Sequence, residues 1–137
     1  IMPIRYEWAD DQQLILNIYI EFPWTWTEYN AVIGEVMPML RDMGHPCATV
    51  VNTEAMKSLP KDGNVVQILM NVEKNMPDNI FASGIVGTSQ AIRVFMNILM
   101  KMRPRAQRTA FFAESMEDAY ERVHERYHEL STNRGDA

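Results

Sequence analysis

Between Asn79 and Met102 the chain reads NIFASGIVGTSQAIRVFMNILMKM, and this stretch restricts the fold more than any other. Ile80-Phe81-Ala82 and Ile85-Val86 form an apolar run that turns at Gly87. A run of that length, bounded by turn signals, is what a strand buried on both faces of a parallel sheet requires. Thr88 or Ser89 then offers a hydroxyl to an orphan N–H in the first turn of a following helix. Strand, glycine turn and helix make half of a βαβ unit, so an α/β domain is expected.

The flanking sequence extends this unit in both directions. Ile4, Tyr6 and Trp8 alternate with Arg5 and Glu7, and Leu14 to Phe22 alternates after the polar turn Ala9–Gln12, which predicts an antiparallel hairpin. Its second strand is expected to turn Leu14, Leu16, Ile18 and Ile20 to one face and Ile15, Asn17, Tyr19 and Glu21 to the other. Thr25-Trp26-Thr27-Glu28 has capping-box spacing, and Tyr29, Ile33, Val36, Met37, Leu40 and Met43 follow at helical intervals. Pro38 falls inside that helix and is expected to kink or divide it; Gly44 and Pro46 stop it. Cys47–Val51 reads as a short buried strand. Asp62 is expected to cap a helix carrying Val65, Val66, Ile68, Leu69 and Val72. After the third helix, Arg103-Pro104-Arg105 is a break, Thr109–Ala113 a last strand, and Ser115 the cap of a helix through Ala119, Tyr120, Val123, Tyr127 and Leu130. The expected architecture is ββαβαβαβα: a mixed, largely parallel five-stranded sheet with an N-terminal hairpin and about four helices.

At 137 residues the chain is read as one domain (1–137), ordered over about 4–130 with a frayed tail at 131–137. A net charge of −5 argues against nucleic-acid binding, because phosphate neutralisation needs a basic surface. One cysteine, Cys47, forms no internal disulfide, and no stretch is apolar enough to span a membrane; a cytoplasmic setting is expected. Eleven methionines are unusual, and methionine fills irregular cores or lines adaptable binding surfaces.

With the hairpin followed by Trp24-Thr25-Trp26-Thr27-Glu28-Tyr29 and the ending Phe111-Phe112-Ala113-Glu114-Ser115-Met116-Glu117-Asp118-Ala119, the chain resembles the STAS-like domains, the anti-sigma-factor-antagonist fold, over Ile4 to Leu130. The resemblance is closest to stand-alone bacterial STAS-like proteins of unassigned function, and it implies a non-enzymatic regulatory or protein-interaction module. Regulatory members carry a phosphorylatable serine in an Asp-Ser-Ser-Gly motif where the second helix begins. Here the matching stretch is Pro60-Lys61-Asp62-Gly63, with Ser58 displaced into the loop, so the serine phospho-switch is not expected.

Little else in the sequence carries chemistry. His124-Glu125-Arg126-Tyr127-His128 matches the zinc-protease pattern H-E-x-x-H. The apolar stripe through Tyr120, Val123, Tyr127 and Leu130 makes the buried side, however, and turns Glu125 toward solvent; too little chain follows to bring a third ligand. The match is read as chance, with no catalytic, cofactor-binding or metal-binding residue assigned. Gly84-Ile85-Val86-Gly87-Thr88-Ser89 lacks both the spacing and the lysine of a phosphate loop and is read as turn and cap.

Two binding surfaces remain. On the third helix Gln90, Arg93, Asn97 and Lys101 fall in an arc of about 80°, leaving a surplus of apolar residues around the circle. Ile92, Phe95, Met96, Leu99 and Met100, with Arg103 and Arg105 beyond them, are therefore expected to meet a protein partner or a second copy in a homodimer. The alternative is a pocket for a small apolar or amphipathic molecule lined by Trp24, Trp26 and Met37.

Overall fold

The computed structural model of the chain describes residues 3–87, 90–102 and 108–135; the side chains at 91, 92, 95, 98, 99, 102 and 133–135 are outside that description. Strands β1 (Ile4–Trp8), β2 (Ile15–Ile20), β3 (Cys47–Asn52), β4 (Ile80–Val86) and β5 (Ala110–Ala113) form one sheet in the order β1-β2-β3-β4-β5. β1 and β2 are antiparallel, and every later neighbour is parallel. The fold is α/β with a five-stranded mixed sheet. Helices α1 (Trp26–Arg41), α2 (Val65–Asn75) and α3 (Gln90–Met102) make the crossovers, and α4 (Met116–Gly135) follows β5.

Stepping always one strand over in the same direction, right-handed crossovers place α1, α2 and α3 on one face of the sheet. Leu16, Ile18, Ile20, Trp24, Trp26, Val36 and Leu40 form the core on that side. α4 returns across the other face, where Ile15, Ala48, Val50, Ala82, Val86, Phe111, Ala119 and Val123 pack. Gly84 permits this second contact, since a Cβ there would meet Phe111 Cζ at 2.9 Å. Gly87 turns the chain after β4 with φ +74°, and a side chain would strike Glu54.

Several sequence expectations shift. α1 runs unbroken through Pro38. Leu14 joins the α4-side core beside Ile15, apart from Leu16, Ile18 and Ile20, because it precedes β2 and is not held to the strand's alternation. Along β4, Ala82 and Val86 are buried in the α4-side core and Ile80 in the opposite one, while Ser83 and Ile85 are only half-buried and Phe81 packs half-buried against the α4 side. α4 continues to Gly135, beyond the expected end of order at Leu130, and its exposed Tyr127 sits at the rim against Phe81. Asp62 does not cap α2: Asn64 does, accepting Gln67 N–H, while Asp62 reaches α1. Thr88, Ser89 and the Arg103-Pro104-Arg105 break lie outside the described residues.

Candidate functional site

Where the parallel strands end, the α1–α3 face carries an apolar pocket of about 110 Å³. Ile20, Val51 and Ile85 give its floor from β2, β3 and β4. Trp26 and Tyr29 come from the first turn of α1, Val65 and Leu69 from α2, and Met96 from α3. Trp24, Thr53, Met56 and Leu59 complete it from the loops, with Leu59 37% exposed. The carboxyl ends of parallel strands are where open α/β sheets form ligand crevices, because crossovers diverge there.

The loop after β3 holds this arrangement together. Trp24 Nε1–H donates to Met56 O at 3.2 Å and Trp26 Nε1–H to Pro60 O at 3.0 Å. Asp62 accepts the backbone N–H of Trp26 at 2.9 Å and of Thr27 at 3.2 Å, and the Thr27 hydroxyl at 3.0 Å. Thr25, the N-cap, accepts Glu28 N–H at 3.1 Å and donates to Glu28 Oε1, so two side chains from distant parts of the chain close one helix terminus. These donors hold the Asp62 carboxyl below its ordinary range, the Trp26 N–H contributing most.

The two indoles meet edge to face with ring centroids 4.8 Å apart, and Tyr29 stands edge-on to Trp26 at 5.4 Å. Burial pushes the Tyr29 phenol up to about 12. Thr53 donates its hydroxyl to Val86 O at 2.8 Å. With both indole N–H groups and this hydroxyl already bonded to carbonyls, the pocket suits an apolar group rather than a hydrogen-bonding head. An apolar cavity of about 150 Å³ takes benzene, so this one matches a group of about four to six carbons.

Of the residues singled out in sequence, Trp24 and Trp26 converge here and Met37 does not. Met37 lines a separate groove between α1 and α2, with Ile33, Gly34, Ile68 and Val72. Met96, expected on an outer surface, turns into the pocket, and Met100 lines a groove beside Asn97, Lys101 and Ala110. Along α3, Gln90, Val94, Asn97 and Lys101 are exposed, whereas Arg93 is half-buried with its guanidinium 5.3 Å from the Phe112 ring. The side chains of Ile92, Phe95 and Leu99, together with Arg103 and Arg105, lie outside the described residues. Met56 and Leu59 were not expected at the site. Their signal is faint: two large apolar side chains in a short loop, Glu54–Lys61, that also carries Glu54, Lys57, Ser58 and Lys61.

His124, Glu125 and His128 are all exposed on α4, and the described residues contain no group of three His, Cys, Asp or Glu able to hold a metal. Cys47 lies in the core with Sγ 3.7 Å from His45 Nδ1. Burial raises the thiol pKa, so it stays protonated at neutral pH and is a poor nucleophile. No helix is long and apolar enough to cross a membrane among the described residues. No known protein family, characterised protein or solved structure matches the chain.

Proposed function

We propose that the chain is a non-catalytic binding module whose Trp- and Met-lined pocket takes the apolar end of a small molecule. The observation that carries this reading is the pocket itself: an apolar hollow at the strand ends whose two indole N–H groups and Thr53 hydroxyl are already paired. α2 adds to it. The helix presents Val65, Ile68, Leu69 and Val72 inward, yet none of its side chains is fully buried, so an occupant would complete its packing. The rim at Leu59 lets a ligand keep a polar end in water.

A regulatory, STAS-like role is the use we assign to such binding. It rests on the element order and on the two motifs that carry the resemblance. In that family the turn corresponding to Pro60–Gly63 bears the regulatory serines. Here the same turn accepts the Trp26 indole and caps α1 through Asp62. Filling the pocket would act on this turn and so on whatever docks against it, with ligand occupancy in place of a phosphate.

Native mass spectrometry of the purified chain, followed by thermal shift with 1-pentanol and indole, tests the reading. A retained small mass or a saturable rise in Tm is expected; a probe at a hundred times its Kd stabilises by about 2.7 kcal/mol. Leu69→Trp, which fills the hollow, should abolish the shift while keeping the fold. No retained mass and no shift with either probe overturns it.

A further inference from the structure

β1 is an edge strand, and its hydrogen-bonding phase leaves one side open. Glu21 N–H donates to Pro3 O at 2.8 Å and Ala9 N–H to Ile15 O at 2.9 Å, which fixes positions 3 and 9 as hydrogen-bonded pairs with β2. In an antiparallel ladder such pairs alternate, so Arg5 and Glu7 also bond to β2. The N–H and C=O groups of Ile4, Tyr6 and Trp8 therefore point away from the sheet, and none of them meets a partner among the described residues. Unpaired edge groups in a row are a template for another strand.

The opposite edge is treated differently. At β5, α4 lays two arginines over the strand: Arg122 donates to Phe112 O, and Arg126 donates to Thr109 O at 2.8 Å. Both guanidiniums also sit over the Phe111 ring, at 4.3 and 4.7 Å. Arginines that occupy strand carbonyls obstruct further pairing there. Among the described residues no side chain bonds to the outward groups of β1: α4 packs on β3, β4 and β5, and α1 meets β1 through the Tyr6 side chain, whose hydroxyl donates to Glu35.

The side chains of β1 then indicate what fits. Arg5 and Glu7 lie on the face left open by α4, both exposed, with opposite charges placed symmetrically about Tyr6. We propose that β1 pairs antiparallel with β1 of a second copy about a two-fold axis at Tyr6, joining two sheets into one. In that register Ile4 opposes Trp8, Tyr6 opposes itself, and each Arg5 opposes the other copy's Glu7 in a close, non-hydrogen-bonded pair. Sliding the axis to Arg5 or to Glu7 would set like charges face to face, so the charge pattern selects both the register and the partner. An unrelated strand needs no such antisymmetry, whereas an isologous contact requires it. Arg5 lies 3.9 Å from Glu7 and 3.8 Å from Glu21 within its own chain, so its charge is already held over this surface.

Sedimentation velocity of the full chain at tens of micromolar tests the pairing. The wild type is expected to be a dimer. Arg5→Glu alone and Glu7→Arg alone should each weaken self-association about ten-fold or more, since both place like charges opposite one another at two symmetric positions. The double exchange, Arg5→Glu with Glu7→Arg, restores the pattern and should restore the dimer, which separates the interface from any general loss of fold. Tyr6→Pro, whose lost N–H faces outward, should give a folded monomer by circular dichroism. A monomeric wild type overturns the proposal. So does a dimer indifferent to both single charge reversals.

Discussion

The Asp62 carboxylate and the Trp26 backbone N–H, 36 positions apart in the chain, meet at 2.9 Å. That bond fixes the pocket's loop to the helix carrying two of its aromatic walls. Because folding lowers the Asp62 pKa, its contribution is present above the unfolded value and is lost as pH falls through the folded one. Melting temperatures of the wild type and Asp62→Asn should therefore differ most near neutral pH and converge below about pH 4. A gap that does not change with pH would show that the carboxylate charge is not what holds the turn.

Tyr29 gives the opposite sign at the alkaline end. Its phenol is raised by burial from 10.0 to about 12, so the folded state favours the neutral form. That preference is fully present below pH 10 and declines as pH rises toward 12. Tyr29→Phe should lose stability less steeply over this window in urea titrations at stepped pH. Equal slopes would place the phenol in water.

The parts of this molecule legible in its sequence are those set by neighbours a few residues away. Thr25 and Glu28 announce the start of α1 because a capping box closes within one turn. The alternation in β1 and β2 specifies a hairpin for the same reason. Asp62 was misplaced because its partners are tertiary: a cap three residues before an apolar run looks local, yet the loop folds back to α1. Met37 shows another limit. It shares a helical face with Trp26, since eleven steps of 100° return nearly to the start, but it stands about 16 Å further along the axis. Periodicity reports direction around a helix and says nothing of depth, so Trp26 reached the pocket and Met37 the groove beside α2.

Gly84 leaves room on β4 for Phe111 of β5 and for α4 behind it. A methyl there would lie 2.9 Å from Phe111 Cζ and 3.5 Å from Ala119 Cβ. Gly84→Ala should cost about 1–3 kcal/mol by overpacking, read as a lower urea midpoint with an unchanged m-value. Since the pocket is on the other face, probe binding should survive. A neutral substitution would mean that Phe111 yields freely beneath Arg122 and Arg126.

The pocket contains Met56 and Met96, while Met37 faces a different groove, and this separates specific binding from general solvent effects. Methyl-labelled methionine NMR, with 1-pentanol added stepwise, reads all three at once. Saturable shifts at Met56 and Met96, with Met37 unmoved and the response lost in Leu69→Trp, are the expected result. Shifts that never saturate, or that appear equally at Met37, would contradict the pocket as a binding site.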